Sequence, residues 1–166
     1  MAATYEPITT TTVGSATTAV TLSSISASYT DLIVIISNIK CSTAETIYMR
    51  INGDTGTNYS STWLAGNGSS ASSSRQTNSS LGVLTGAYNT GLSSTNPSQA
   101  IMQINNYSNT TTYKSTLSRY GLGTVEVEAI AGLWRSTSAI NSLTFRVNSG
   151  GFATGTTFTL YGILAA

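Results

Sequence analysis

Leu32-Ile33-Val34-Ile35-Ile36-Ser37-Asn38-Ile39 opens with five consecutive large aliphatic residues. It is too short for a helix with its own apolar stripe and rich in the β-branched side chains that suit a pleated sheet. On a strand, Leu32, Val34 and Ile36 share one face while Ile33 and Ile35 share the other. Both faces therefore have to be covered. The stretch predicts a central strand, or one lying beneath a subunit interface.

The same pattern repeats on either side, with short β-branched runs separated by clusters of Ser, Thr, Gly and Asn and no helical period beyond one or two turns. In Thr18 to Ser24, Ala19, Thr21 and Ser23 alternate with Val20 and Leu22. Ile47, Met49 and Ile51 alternate with Tyr48, Arg50 and Asn52, three apolar side chains in and three polar ones out. Further strands are predicted over Leu81 to Ala87, Gln99 to Tyr107, Ser115 to Tyr120, Thr124 to Trp134, Leu143 to Val147 and Thr156 to Leu164. In Thr124 to Trp134, Val125, Val127 and Ala129 alternate with Glu126, Glu128 and Ile130, which fits a strand better than a short helix around Val127 to Ala131.

About eight to ten short strands make an all-β, two-sheet, jelly-roll-like β-sandwich the expected architecture, with a barrel as the alternative. Residues 13–166 are expected to form one domain. Residues 1–12 are polar and contain Pro7, which predicts an extended N-terminal arm. The segment Ala65 to Ser80 is rich in Ser and Gly with no apolar residue beyond Ala65 and Ala71, and predicts an exposed loop.

Composition narrows the function. The chain of 166 residues holds no His, seven Lys and Arg, and six Asp and Glu. Its 26 Ser and 29 Thr make up about a third of it, and no charged residue stands between Arg75 and Lys114. General acid and base chemistry near neutral pH draws first on histidine and then on tuned carboxylates or lysines. With those groups absent or scattered singly, the expectation is a packed structural or binding domain and not an enzyme. Basic residues are spread evenly at a net charge of +1, so neither nucleic acid nor an anionic membrane is an expected partner. A lone Cys41 offers no intramolecular disulfide, and without His or a Cys cluster neither zinc nor iron has its usual ligands; no metal or other cofactor is expected. Met1 to Thr12 has no basic or apolar signal region, so synthesis in a cytoplasm without Sec-type export is expected.

Some motifs have competing readings. Five Asn-x-Ser/Thr triplets begin at Asn58, Asn67, Asn78, Asn106 and Asn109, about the number that chance gives in so Ser/Thr-rich a chain. Asn52-Gly53-Asp54-Thr55-Gly56-Thr57-Asn58 has oxygen donors but one carboxylate, and reads as a turn in preference to a calcium loop. Glu126 and Glu128 share a strand face about 7 Å apart. That spacing would allow a carboxylate pair for glycoside cleavage, but a solvated strand face opposite Arg119 or Arg135 is the expectation. Tyr59, Trp63, Tyr88, Tyr107 and Tyr113 lie in or beside predicted loops and are candidate glycan contacts, because such side chains join flat apolar area to a hydrogen-bonding tip. Trp134, in Ala131-Gly132-Leu133-Trp134, is assigned to the core.

Several phrases also carry a resemblance. Tyr5-Glu6-Pro7-Ile8 before a Thr run, Tyr29-Thr30-Asp31-Leu32, and Arg50-Ile51-Asn52-Gly53-Asp54-Thr55-Gly56-Thr57-Asn58-Tyr59-Ser60 form the first half of it. Gly132-Leu133-Trp134-Arg135-Ser136, Ile140-Asn141-Ser142-Leu143 and Phe158-Thr159-Leu160-Tyr161-Gly162-Ile163 form the second. Together they resemble small β-sandwich virion proteins of tailed bacteriophages, over nearly the whole chain. The resemblance implies a capsid decoration, or cement, protein on the head surface, with the major capsid protein and its own copies as partners, a trimer being the guess from symmetry. It also admits a tail-fibre or receptor-binding module that contacts a host surface glycan. It brings no catalytic residues. Tyr5, Pro7 and Ile8 of the arm are the candidate capsid anchors, through an added edge strand.

Overall fold

A computed structural model describes residues 5–85, 92–122 and 126–164. Among them are twelve strands: β1 (Tyr5–Thr12), β2 (Ala19–Leu22), β3 (Asp31–Ile39), β4 (Ile47–Ile51), β5 (Tyr59–Gly66), β6 (Ala71–Ser79), β7 (Gly82–Thr85), β8 (Ser98–Ile104), β9 (Lys114–Leu122), β10 (Glu126–Trp134), β11 (Leu143–Arg146) and β12 (Thr157–Ile163). One sheet has the order β1-β12-β3-β8-β9-β10-β5-β6, the other β2-β11-β4-β7. The chain is all-β and folds as a two-sheet antiparallel sandwich.

Setting aside the hairpins β5–β6 and β9–β10, the remaining strands pair as 1-12-3-8 and 2-11-4-7. That is the strand order of a jelly roll, with its chain crossing repeatedly between two four-stranded sheets. The two hairpins both extend the first sheet past β8, doubling its width on one side. β3 sits inside the larger sheet between β12 and β8, with Leu32, Val34 and Ile36 fully buried toward the smaller sheet. Between the sheets Phe158 packs edge-on against Phe152 at 5.1 Å and stacks with Phe145 at 5.5 Å. Full burial of each ring contributes roughly 2–3 kcal/mol.

Three strands depart from the sequence reading. β5 and β6 form a hairpin over much of the segment expected to be a loop, Ala65 to Ser80. Its turn is organised by Asn67, whose Oδ1 accepts from the Ser69 and Ser70 amides at 3.0 and 2.9 Å, with Gly68 at φ +85°. β6 is an edge strand largely open to solvent, so its sequence needs no apolar period; the backbone ladder to β5 holds it. The expected N-terminal arm is also corrected over its described part: Tyr5–Thr12 is β1, paired along its length with β12 of the same domain. Pro7 and Ile8 mark a bulge in that pairing, and Ile8 packs against the core.

Candidate functional site

Register gives the larger sheet two distinct faces. Along β9 and β10 buried and exposed residues alternate almost without exception, and the exposed set is Ser115, Leu117 and Arg119 on β9 with Val127, Ala129, Ala131 and Leu133 on β10. Arg119 pairs across to Ala129 and to Ile101, Ala129 to Leu64, and Ile101 to Ile35. An outward row therefore runs Ile35, Ile101, Arg119, Ala129, Leu64 across five strands. Six large apolar side chains are exposed among the described residues, and five of them (Tyr5, Leu64, Leu117, Val127 and Leu133) are on this outer face. Val127 is 65% exposed and Leu64 58%.

A groove of about 750 Å³ crosses this face, with Gly121 and Gly66 at its floor and Leu64, Val127 and Arg119 among its walls. A side chain added at Gly121 would meet no atom within 4 Å, so the floor is open outward. Five strands at ~4.8 Å spacing and about 20 Å of strand length give the apolar face roughly 500 Å², in the range of patches that serve interaction. Among the described residues Arg119 is the charged side chain set in its middle.

The opposite face corrects the reading of the carboxylate pair. Glu126 and Glu128 point inward and are 7% and 4% exposed, while Val127 between them points out. The cause is strand parity: Ile130 and Trp134 share their parity and are core residues, and a period of two carries the glutamates in with them. Arg119 lies on the other face of β9, and Arg135 is engaged by the Thr57 carbonyl at 2.7 Å, Asn78 Oδ1 at 3.0 Å and Ser60 Oγ at 3.3 Å.

The structure divides the aromatic candidates. Tyr59 is buried; its hydroxyl accepts from the Ile51 amide at 3.0 Å and reaches the Asp54 carbonyl at 3.3 Å. Burial pushes its phenol up to about 12. Tyr107 is also buried, donating to the Ser26 carbonyl and accepting from the Tyr29 amide at 3.4 Å. Both are corrected from surface contacts to core struts, because their polar tips are used internally. Trp63 is half-buried on β5 with its Nε1 buried and unpaired, and Tyr113 is 56% exposed ahead of β9. Tyr88 lies outside the described residues. Of the proposed anchors, Tyr5 and Pro7 are exposed on the outer face and Ile8 is half-buried.

The Asn52–Asn58 loop is a turn, as its sequence predicts. Asn52 and Gly53 both have positive φ, +53° and +69°, and the Asp54 amide donates to the Ile51 carbonyl at 3.0 Å. The Asp54 carboxylate accepts from Trp134 Nε1 at 2.6 Å, the Gly56 amide at 2.7 Å and Asn58 Nδ2 at 2.9 Å. Partial desolvation alone would raise its pKa, but the donors of Trp134, Asn58 and Gly56 outweigh that and hold it below the ordinary carboxylate value.

Lys114 is a buried group that composition did not single out. Its Nζ donates to the carbonyls of Thr112 at 2.8 Å and Thr137 at 3.2 Å, tying two loops together, and desolvation lowers its pKa. Among the described residues no three of His, Cys, Asp and Glu gather into a cluster. No helix there is long and apolar enough to cross a membrane. No protein-family model matches the chain, and no curated protein matches it significantly in sequence.

Proposed function

We propose that the protein is a bacteriophage virion structural protein, a capsid decoration or cement protein that docks on the head surface and bridges capsomers as a closed homo-oligomer, most simply a trimer. The observation that carries this reading is the outer face of the eight-stranded sheet: apolar, roughly 500 Å², and set on a body whose remaining surface is mostly hydroxyl and amide. Such a face is useful only when covered, and the scarcity of groups able to move protons favours binding over catalysis. The occupant this reading assigns is the major capsid protein, through an apolar surface with a carboxylate opposite Arg119. A second copy placed symmetrically on the same face would set Arg119 against Arg119, which disfavours that alternative. The sequence phrases that resemble those of small phage virion proteins support the same reading.

The test joins location to mechanism. Gold-labelled antibody against the chain should decorate the heads of intact source particles, and purified protein should co-sediment with undecorated heads. The Cβ of a side chain at Gly121 meets no atom within 4 Å and opens into the groove, so Gly121→Leu should keep the wild-type melting temperature and lose head binding. Binding should change little with salt, since the charges on that face are few, Arg119 in its middle and Arg75 on the edge strand. Label confined to the tail would overturn the decoration reading in favour of a tail-fibre or receptor-binding module, for which the exposed Tyr113 is the best-placed glycan contact. Unlabelled particles would refute both.

A further inference from the structure

Asn52-Gly53 and Asn67-Gly68 are the two Asn-Gly steps of the chain. Such a step is chemically labile, because glycine has no side chain to shield its amide nitrogen, and attack of that nitrogen on the asparagine Cγ closes a five-membered ring. In a folded protein the outcome depends on what holds the asparagine side chain and what covers the glycine amide. The fold treats the two steps in opposite ways.

Asn52 is held at both ends of its side-chain amide. Its Nδ2 donates to the Ala139 carbonyl at 2.7 Å, and its Oδ1 accepts from the amides of Asn141 at 2.9 Å and Ser142 at 3.2 Å. Ring closure pulls the side chain out of this frame, and departure of Nδ2 breaks one of the three bonds outright. Asn67 opens the turn between β5 and β6, with its backbone amide donating to the Ser70 carbonyl at 3.2 Å. All four residues from Asn67 to Ser70 are exposed. Its Oδ1 accepts from the Ser69 amide at 3.0 Å, the Ser70 amide at 2.9 Å and the Ser70 hydroxyl at 3.3 Å, while among the described residues nothing accepts from its Nδ2. Three donors thus polarise Cγ and stand where negative charge develops on Oδ1, as in an oxyanion hole. The Gly68 amide likewise has no acceptor among the described residues, and a Cβ built on Gly68 would meet no atom within 4 Å. The nitrogen is open to base from solvent.

We propose that Asn67 is a site of spontaneous covalent modification, deamidating in the folded protein through a succinimide, while the fold keeps Asn52 intact. The Gly68 nitrogen loses its proton to base and forms a bond to Cγ; the bond from Cγ to Nδ2 breaks and ammonia leaves with a proton. Water then opens the ring. Opening at Cγ leaves an aspartate at position 67, and opening at the main-chain carbonyl leaves an isoaspartate, with the chain running through the former side chain. Either product adds one negative charge and cancels the net charge of +1. The isoaspartate also lengthens the backbone inside the turn. Gly66 and Ala71, the pair next to that turn, line the groove on the outer face, so the modification alters the groove's wall. The chemistry holds whatever the domain docks on.

Peptide mass spectrometry of the full native chain, sampled during incubation in mildly alkaline buffer, tests the proposal. Deamidation at Asn67 should run at least about tenfold faster than at Asn52, whose reaction waits for three hydrogen bonds to open. In urea the two rates should converge, chiefly because Asn52 accelerates. Asn67→Gln replaces the five-membered ring closure by a slower six-membered one, so the acidic charge variant that accumulates in the wild type should be lost. Equal rates at the two sites in the native chain would overturn the proposal. So would conversion at Asn67 that is slow in the native chain and fast only in urea, or an acidic variant undiminished in Asn67→Gln.

Discussion

Asp54→Ala is the perturbation whose cost is best defined by the geometry. The substitution removes the acceptor of three hydrogen bonds, and it leaves Trp134 Nε1 unpaired within a side chain that is 3% exposed. An orphaned buried donor costs about 1–3 kcal/mol, and the two bonds nearer solvent add about 0.5–1 kcal/mol each. The expected loss is therefore about 3 kcal/mol. For a domain of this size that lowers the melting temperature by about 6–12 °C. Trp134→Phe removes the indole donor, and the double variant should be less damaged than the sum of the singles by about 1–2 kcal/mol. The proton link has a definite sign. Because the folded carboxyl is held below its unfolded value of about 3.9, its contribution is present above that pH and is lost as pH falls through the lower folded value. The deficit of Asp54→Ala should thus shrink in thermal melts taken below about pH 4. A loss under about 1 kcal/mol at neutral pH, or additivity within about 0.5 kcal/mol, would refute the assignment of Asp54 as the clamp on Trp134.

Two further predictions concern the core. A methyl group at Gly162 would overlap the ring of Tyr29, so Gly162→Ala should destabilise by about 2 kcal/mol in urea titration and Tyr29→Ala should relieve most of that penalty; an unchanged midpoint would refute the close packing. Cys41 is buried, with its thiol pushed up to about 12 by burial and the Glu45 charge, so an aromatic disulfide reagent at pH 8 should label it only after denaturation; labelling of the native protein at the rate of a free thiol would contradict that burial.

The parts of the fold legible in the sequence are those where burial imposes a period. Leu32 to Ile39 announces a central strand, Ile47 to Ile51 a half-buried one, and Asn52-Gly53 a turn, each because its side chains have no other good use. β1 and β6 are held by backbone pairing at sheet edges, where Thr, Ser and Asn serve as well as anything apolar, so composition carries no signal for them. β10 is a strand, as its sequence predicts, but the facing of its glutamates is not as expected. Its alternation was legible, but which half faced inward depended on Trp134 and Ile130 fixing the parity, and Glu126 and Glu128 would not ordinarily be chosen for the inside. The outward apolar face carries no signal of its own, since Val127, Leu117 and Leu64 are side-chain types that ordinarily fill a core.

The place of β12 between β1 and β3 has a consequence for synthesis. Until Thr157–Ile163 leaves the ribosome, β1 has no neighbour and one edge of β3 stands open, so the first strand made waits for the last. Closure of the larger sheet is then a late event with long sequence separation, which is slow and exposes strand edges. Pro7 and the hydroxyl-rich run Thr9 to Thr12 make β1 a poor template for strands of other nascent chains during that interval. The polarity of this strand protects the chain most while it is still incomplete.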